Sequence, residues 1–556
     1  MWSAKPGQAW RNLRAGLHWK AIMRRLTRLL ACFVFTLATA LCGQAPAAHG
    51  LGGSAAGPGA EARAGRAYEA AVRQGPPALR AFLVEFPKGA DLHVHLSGAV
   101  YAETLIRDAA EDGACVDTVA LSLAQPPCTG NLIPASKLSG NIDRQTQLLY
   151  DKLIDSLSIR SFVPSANWST HDQFFAVFDR TGGLKDHNGE WIDEVASRAA
   201  AENQQYLELM VTPPFSHAAG IAHDIGWSPE LAQSDAKAFA QFRQKLLDKG
   251  LRDEVAADRE EVRAAEARRK QLELCGTAQA APACQVEVRY IWQVLRDLPP
   301  EQVFAQTLLG FETAEASIDA QEDTWVGINF VRPEDDYVAM RDYMQQMKMV
   351  GYLHSVYPRV RISLHAGELT LGLVPPEGLR FHIRQAVELA HAERIGHGVD
   401  VMHEDDASGL LKELAAQHVM VEINLSSNEA ILGVKGAEHP FPVYRAAHVP
   451  VALSTDDEGV SRIDLTHEYV RAALDYHLSY ADLKQLARTG MEHDFLPGAS
   501  LWARPDDFSA PVDACKGQAL GGEKPSAECK AFLDKSERAA AQWELERRFR
   551  AFETRW

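Results

Sequence analysis

The segment Asp91-Leu92-His93-Val94-His95-Leu96 places two histidines in a short apolar stretch. Side chains alternate across a β-strand, so His93 and His95 would point to the same face and could bind one metal ion together. An isolated His-x-His is a weak signal, because one histidine can equally be a hydrogen-bonded core residue. The segment therefore predicts a buried strand, and by itself leaves a metal site as one of two interpretations.

Three later segments follow the same plan, in which an apolar stretch leads into histidines or carboxylates. They are Ser363-Leu364-His365-Ala366-Gly367-Glu368, Arg394-Ile395-Gly396-His397-Gly398 and Ser454-Thr455-Asp456-Asp457. With the first segment they supply imidazole and carboxylate ligands for zinc, and further groups that can move protons. Asp456-Asp457 alone could cap a helix or form a turn. The four segments together favour a zinc site built for hydrolysis.

Eight apolar, β-rich runs recur along the chain, and helical patterns separate most of them. The runs cover residues 90–95, 206–211, 286–294, 325–331, 361–365, 393–395, 420–424 and 450–455. Alternating strands and helices predict an α/β fold with parallel strands and crossover connections. The polar residues of the four segments fall at the ends of runs one, five, six and eight, where active sites form in (β/α)8 barrels.

The four segments resemble the signatures of the adenosine deaminase family, in the order in which that family carries them. Pro87-Lys88-Gly89-Ala90-Asp91-Leu92-His93-Val94-His95-Leu96-Ser97-Gly98-Ala99 resembles its opening signature. Glu422-Ile423-Asn424-Leu425-Ser426-Ser427-Asn428 is similar to the family's segment between the last two signatures. The resemblance covers residues 87–496 and is strongest to the secreted, growth-factor-type branch. It implies a (β/α)8 TIM-type barrel with helical insertions and N- and C-terminal extensions.

The resemblance also implies a role for each site residue. Four residues would hold one zinc ion per chain: His93, His95, His365 and Asp456. Glu368 would shuttle protons, His397 would orient the attacking hydroxide, and Asp457 would hydrogen-bond near purine N7. Ser97, Gly367 and Asp457 are the expected substrate-binding residues. The implied reaction converts adenosine or 2′-deoxyadenosine to inosine and ammonia, by attack of zinc-bound hydroxide on purine C6.

Two positions depart from the family pattern and concern specificity. Many adenosine deaminases carry Asp two residues after the second histidine, where it contacts the ribose 5′ hydroxyl, but this chain has Ser97. The family also tends to place Gly after the fourth strand, where this chain reads Arg332-Pro333-Glu334. Arg332 could enter the pocket and favour an anionic or larger substituent. A solvated loop arginine is the more common situation, because Arg is mostly exposed.

Other functions stay open beside adenosine deamination. A related amidohydrolase could act on another aminopurine, a 5′-modified nucleoside, a nucleotide or an amide. Residues 325–330 contain no lysine that could bridge two metal ions, which favours one metal and deamination. The other zinc deaminase architecture needs Cys-x-x-Cys, which the sequence lacks. A purine-binding or signalling protein without catalysis would be expected to have a damaged catalytic set, and this set is intact.

The N-terminus predicts export. Residues 1–48 form a signal peptide, with Lys20, Arg24, Arg25 and Arg28 before the apolar run 29–41 and cleavage after Ala47 or Ala48. An uncleaved anchor is the alternative, although the run is short for a membrane span. We expect a periplasmic or secreted enzyme without stable membrane association after cleavage.

Cysteine spacing agrees with export. Six cysteines remain after the predicted cleavage, and six allow 15 connectivities. They fall in close pairs, which favours three local bridges that would form in an oxidising compartment. The expected pairs are Cys115/Cys128, Cys275/Cys284 and Cys515/Cys529.

The charge balance bears on partners. The net charge is −17, and residues 1–48 hold seven of the 57 Lys and Arg but none of the 74 Asp and Glu. The mature chain would therefore be more acidic still, which disfavours nucleic acid and anionic membranes as partners. It suits a small, neutral purine nucleoside.

The remaining length divides into three parts. Residues 49–86 would form an N-terminal extension with an amphipathic helix at 68–84, which in similar secreted deaminases contributes to homodimers. Residues 87–500 would form the barrel. Residues 501–556 would form a charged, helical C-terminal extension.

Two insertions account for the excess length of the barrel. Segment 113–145 is expected to form a loop near the site. Segment 229–283 is expected to contain long exposed helices at 245–274, as a hairpin that could cover the pocket or contact a second subunit.

Overall fold

The computed structural model describes residues 58–140, 142–182, 184, 187–322 and 324–556. The predicted signal peptide, and the first residues of the predicted N-terminal extension, lie outside the described residues. Within those ranges, no helix combines the length and the hydropathy that crossing a bilayer requires.

Eight parallel strands form one sheet in which the spatial order equals the chain order. They are β1 (Gly89–His95), β2 (Gln204–Val211), β3 (Glu287–Leu295), β4 (Trp325–Val331), β5 (Arg361–Ala366), β6 (Arg394–His397), β7 (Met420–Ile423) and β8 (Val451–Leu453). The last strand returns to the first through a parallel bridge between Val94 and Asp456, where the Asp456 N–H donates to the His93 carbonyl over 2.8 Å. The (β/α)8 fold and its eight predicted strands are confirmed.

Helices cover the outside of the barrel and explain why the strands are apolar throughout. Strands that are covered on both faces read as nearly continuous hydrophobic runs. Single long helices connect β3 to β4 (Pro300–Asp319) and β4 to β5 (Tyr337–Val356). Shorter helices complete the later part of the barrel: His382–Glu388, Ala407–Gln417, Leu425–Leu432, Phe441–Ala446, Glu458–Ser461, Leu465–Asp475 and Tyr480–Glu492.

The long connection between β1 and β2 contains the first insertion. Its helices are Leu96–Ala99, Ala102–Glu111, Arg144–Ser156, Thr170–Asp179 and Asn188–Ala201. The prediction of a loop at 113–145 is wrong, because short antiparallel strands at Cys115–Asp117, Ser122–Ala124 and Leu132–Pro134 pair into a small sheet. Their alternation was too short to recognise in the sequence.

The connection between β2 and β3 contains the second insertion. Its helices are Ser216–Ile225, Pro229–Ala232, Ala236–Asp248 and Val255–Leu272. The predicted hairpin is not confirmed, because Ala236–Asp248 packs on Ser216–Ile225 and Pro300–Asp319 while Val255–Leu272 packs mainly on Asn188–Ala201. The prediction that these helices are exposed holds on one side only, because Phe239, Phe242 and Val262 are buried against the barrel helices.

The two terminal extensions pack on each other at the outside of the barrel. Helices Pro58–Gln74 and Pro76–Val84 bury their apolar face against the same chain, where the Tyr68 hydroxyl donates to the Leu478 carbonyl over 2.7 Å. The C-terminal extension begins with an antiparallel strand pair, Trp502–Arg504 and Asp507–Pro511, before helices Ala527–Leu533 and Glu537–Glu553. A homodimer stays a prediction, since the apolar face expected to form it is covered within the chain.

The six cysteines join in the three expected local pairs. The Cα–Cα distances are 5.5 Å for Cys115–Cys128, 5.6 Å for Cys275–Cys284 and 4.6 Å for Cys515–Cys529. Each pair closes an insertion or the C-terminal extension and leaves the barrel strands untouched.

Candidate active site

The four sequence segments meet at the carboxyl end of the barrel. The Nε2 atom of His365 lies 3.1 Å from Nε2 of His93 and 3.2 Å from Nε2 of His95. Asp456 Oδ1 lies 3.2 Å from His95 Nε2 and 3.9 Å from His93 Nε2. All four side chains are buried. The structure thus brings three imidazoles and one carboxylate, from β1, β5 and the residues after β8, around one point.

The outer nitrogen of each of the three imidazoles faces a hydrogen-bond acceptor. His93 Nδ1 lies 2.6 Å from Glu422 Oε2, and His365 Nδ1 lies 2.7 Å from Asn329 Oδ1. His95 Nδ1 contacts the side-chain oxygen of Gln293. An acceptor at Nδ1 fixes the proton there and leaves the Nε2 lone pair free.

Three lone pairs therefore converge, with His365 Nε2 3.1 Å from that of His93 and 3.2 Å from that of His95, an arrangement that is repulsive without a cation between them. This donor set, three imidazole nitrogens and one carboxylate oxygen, fits a zinc ion. One metal ion could contact all three histidines, because the donor atoms of His93, His95 and His365 lie within 4.8 Å of one another.

The sequence alone did not assign a role to the three residues that hold these histidines, Glu422, Gln293 and Asn329. Glu422 lies in β7, Gln293 in β3 and Asn329 in β4, and all three are buried. The available signal was a polar residue in each otherwise apolar strand, because a buried polar side chain needs a partner.

The charges around the site also favour a cation. Burial opposes protonation of His95, but Asp457 and Asp456 raise its pKa to about 9, so they favour a positive charge at Nε2, which a metal ion can supply in place of a proton. Burial likewise opposes ionisation of Asp456, yet the hydrogen bond with His95 holds the pKa of Asp456 below its usual range. The centre therefore attracts positive charge.

Glu368 borders the same centre but is held differently. Its Oε1 atom is buried and has no hydrogen-bond partner among the described residues, and it lies 3.5 Å from His397 Nδ1. Burial first, and then the charges of Asp456 and Glu334, raise the pKa of Glu368 well above its usual range. A shift in this direction favours the protonated carboxyl group, which can donate its proton.

A chain of hydrogen bonds fixes which nitrogen of His397 carries the proton. The backbone N–H of Phe441 donates to His439 Nδ1 over 3.1 Å, so the proton of His439 is on Nε2, which donates to Asn428 Oδ1 over 2.9 Å. The Asn428 amide then donates to His397 Nδ1 over 2.8 Å. Burial lowers the pKa of His397 to about 3, so the ring is neutral. Its Nε2–H, 3.8 Å from Asp456 Oδ2, is therefore a donor.

Asp457 reaches the site through a close approach to Gly98. A Cβ atom at position 98 would lie 1.6 Å from Asp457 Oδ1, so the position accepts only glycine. Asp457 is buried, and its Oδ1 is without a hydrogen-bond partner in the part of the chain that the structure describes. The free oxygen borders the cavity, where it can bind a polar group of a ligand.

A cavity of about 330 Å³ opens over these groups. His95, His365, Glu368, Asp456 and Asp457 form its floor, and the helix Thr170–Asp179 contributes Phe174, Phe175 and Phe178 to its wall. The sequence analysis did not single out this helix, because nothing local in it indicates which cavity it faces. It supplies the apolar surface on which a planar ring can pack.

The remaining predicted residues lie at different places around the cavity. Ser97 is exposed and borders it. Arg332 also borders the cavity, and its Nε lies 3.4 Å from Asp297 Oδ2. Because 39% of its side chain is exposed, Arg332 contacts both the cavity and the solvent. Gly367 lies behind the wall, where its N–H donates to Glu334.

Comparison with known proteins points to one family. Residues 270–501 match the family model for adenosine deaminase, a range that includes His365, Glu368, His397 and Asp456. An adenosine deaminase of Clostridium perfringens is 32% identical over 168 residues, which cover 30% of this chain and 43% of that protein. The enzyme of another strain is 35% identical over 136 residues, 24% of this chain and 38% of that protein. The chain thus spans less than half the length of these relatives in the matched regions.

Solved structures of two deaminases are among those similar to this chain. The N6-mAMP deaminase of Arabidopsis is 19% identical with a TM-score of 0.46, and the match covers 75% of this chain and 96% of that one. An adenine deaminase of Arthrobacter aurescens is 18% identical with a TM-score of 0.42, covering 74% and 94%.

Proposed function

We propose that the chain is a zinc-dependent hydrolase of the adenosine deaminase family, which converts adenosine to inosine, or 2′-deoxyadenosine to 2′-deoxyinosine, with release of ammonia. The observation that carries the proposal is the convergence of three imidazole lone pairs and one carboxylate next to a buried carboxyl group with a free oxygen. The first set fits a metal ion, and the second fits a proton donor.

His93, His95, His365 and Asp456 would hold one zinc ion. When bound, a zinc ion in such a set supplies an activated water molecule at neutral pH. Glu422, Gln293 and Asn329 keep the three Nε2 atoms aimed at the ion, because each binds the opposite nitrogen of its histidine.

Glu368 would supply the proton that the purine needs. In its protonated form it donates to ring N1, which withdraws electron density from C6 and makes that carbon a better electrophile. The raised pKa of Glu368 keeps this proton available at neutral pH. Addition of water at C6 and departure of the amino group as ammonia then give the 6-oxopurine.

His397 and Asp457 would orient the reacting groups. The Nε2–H of His397 donates a hydrogen bond to the attacking oxygen, a role that follows from the proton position set by Asn428. Burial and the charge of Asp456 raise the pKa of Asp457, and in its protonated form Asp457 would donate a hydrogen bond to N7 and fix the ring plane. The phenylalanines of helix Thr170–Asp179 would cover the ring and exclude water.

A second substrate class is favoured by one observation, a neighbouring cavity of about 550 Å³. Ser97, Thr212 and Gln293 line both cavities. Because Ser97 replaces the acid expected to bind the ribose 5′ hydroxyl, a 5′-modified nucleoside or a nucleotide is the alternative substrate.

Export to the periplasm or the medium is also part of the proposal. The three disulfide pairs support it, because such bonds persist in oxidising compartments.

The test is ammonia release by the purified protein, measured after metal removal and after reconstitution with one equivalent of zinc. The panel contains adenosine, 2′-deoxyadenosine, 5′-deoxy-5′-methylthioadenosine, adenine and AMP. Zinc-dependent release from adenosine supports the proposal, and preference for a 5′-modified compound supports the alternative. Zinc binding without ammonia release from any member would contradict both.

A further inference from the structure

The turn that carries Glu368 out of β5 is held from two sides. Gly367 has a φ of +75°, and a Cβ atom there would lie 2.4 Å from Asp400 Oδ1, so the turn requires glycine. The Gly367 carbonyl accepts hydrogen bonds from the N–H groups of Val399 at 2.8 Å and Asp400 at 3.2 Å. The carbonyl side of the turn is therefore fixed by the backbone that follows β6.

The N–H side of the same turn is fixed by a single carboxylate. Glu334 Oε1 accepts the N–H of Gly367 over 3.0 Å, and Glu334 Oε2 accepts the N–H of Glu368 over 2.8 Å. Only 1% of Glu334 is exposed. Two parallel hydrogen bonds from consecutive N–H groups to an ionised carboxylate define both the distance and the orientation of the turn.

Glu334 is itself held in place. Its Oε1 lies 2.5 Å from His382 Nδ1, and the His382 ring stacks on Tyr343 with the ring centroids 3.8 Å apart. Burial opposes its ionisation, but the hydrogen bond from His382 lowers the pKa of Glu334 to about 2. The chain reaches Glu334 through Arg332, whose φ of +91° is strained for a non-glycine residue. Such strain persists where the surrounding contacts require it.

The Glu368 side chain, by contrast, has little to hold it. Its Oε1 atom lacks a hydrogen-bond partner within the described ranges and lies 3.5 Å from the neutral ring of His397. The place of its carboxyl group over the cavity is therefore set mainly by its backbone.

We propose that Glu334 is a positioning residue, which sets the place of the Glu368 carboxyl group by binding the N–H groups of Gly367 and Glu368. The proposal rests on the proposed function for the role of Glu368 in proton transfer. It assigns a purpose to a residue in the segment where the sequence departs from the family pattern, two residues after Arg332.

The test variant is Glu334→Gln. A glutamine keeps the volume, and its side-chain oxygen can still accept hydrogen bonds from His382 and Gly367. Its NH2 group then faces the N–H of Glu368, and two donors cannot form a hydrogen bond, so the contact with Glu368 is lost. We expect kcat to fall about 10- to 100-fold with KM nearly unchanged, because a displacement on the order of 1 Å costs roughly that factor. Zinc content should stay at the wild-type value, since the contacts of His365 with Asn329 are untouched.

The matched control is Glu254→Gln. Glu254 binds two consecutive N–H groups in the same manner, those of His217 at 3.0 Å and Ala218 at 2.9 Å, at the start of a helix outside the catalytic set. We expect this variant to keep the wild-type kcat. An equal loss of kcat in both variants would overturn the proposal, because it would show that any such contact affects turnover through general stability.

A double-mutant cycle with Glu368→Gln tests whether Glu334 acts through Glu368. If it does, Glu334→Gln causes no further loss of kcat in the Glu368→Gln background. Independent, multiplicative losses would overturn the proposal.

Crystal structures of the wild type and of Glu334→Gln give a readout that does not depend on activity. We expect the Glu368 carboxyl group to move by on the order of 1 Å while His365 stays in place. An unmoved Glu368 overturns the positioning role. Absence of purine deamination by the wild type would instead contradict the proposed function. The comparison of the two crystal structures would still decide whether Glu334 positions the Glu368 carboxyl group.

Discussion

Glu368 at the barrel centre and Asp258 in the helical insertion look alike as isolated groups. Both are buried carboxyls with one oxygen that has no hydrogen-bond partner in the described chain. Burial raises the pKa of both: that of Glu368 is well above its usual range, and that of Asp258, with Glu254 and Glu261 nearby, is about 8.

The surroundings of the two groups differ. Glu368 borders a cavity whose floor contains converging imidazole lone pairs, whereas Asp258 lies on the helix Val255–Leu272, between other carboxylates of the same insertion. A raised pKa is therefore a poor guide to catalysis by itself. What distinguishes the centre is a second set of groups that a metal ion and a substrate can use together.

The largest expected effect is on turnover and concerns Glu368. Glu368→Gln keeps the shape but removes the transferable proton, so we expect kcat for adenosine to fall roughly 10²- to 10⁴-fold while zinc still binds. Steady-state kinetics and metal analysis would measure both. Because the acid form is required, wild-type turnover should also decline as pH rises through the raised pKa of Glu368. An unchanged kcat in Glu368→Gln would mean that Glu368 is no more catalytic than Asp258.

The next effect concerns the histidine partners and tests the metal set directly. Asn329→Leu removes the acceptor of His365 Nδ1 at nearly constant volume, and Asn329 Nδ2 has no partner to lose within the described residues. We expect zinc affinity to weaken roughly 10- to 100-fold. Competition with a chromophoric chelator would measure it, and an unchanged affinity would argue against His365 as a ligand.

A smaller effect, on stability alone, is expected at Asp258. The ordinary pKa of 3.8 applies to the unfolded chain and about 8 to the folded one, so between these values the folded state binds more protons. The free energy of unfolding therefore falls as pH rises from about 4 to about 8.

Asn does not titrate, so Asp258→Asn should raise Tm by a few degrees at pH 8 and much less at pH 4. Thermal unfolding at several pH values would measure the difference. Turnover should stay at the wild-type value, and a loss comparable to that of Glu368→Gln would contradict the comparison.

The smallest effect on turnover is expected from the disulfide of the insertion. Replacing Cys275 and Cys284 together by Ser opens a short loop away from the barrel strands, so kcat/KM should stay within about twofold while Tm falls by a few degrees. A large loss of activity would show that the insertion contributes to the site. Kinetics and thermal unfolding of the double variant would decide.

Much of the fold could be predicted because its signals are local. The eight apolar runs follow from the need to bury both faces of parallel strands, and their predicted bounds lie close to those of β1–β8. The small sheet at 113–145 was missed since its strands have three residues each. One amphipathic helix was expected at 68–84, whereas the structure has two, Pro58–Gln74 and Pro76–Val84, and their covering by the C-terminal extension could not be read from either segment alone.

Sequence by itself determined which residues could supply the chemistry: His93, His95, His365, Asp456, Glu368, His397 and Asp457 are recognisable from residue type and strand position. The tertiary structure decided how they work together. It paired His93 with Glu422, set the proton of His397 through Asn428, and bound the N–H of Glu368 to Glu334. Such contacts join residues that packing brings together from separate strands and loops, so no local pattern encodes them.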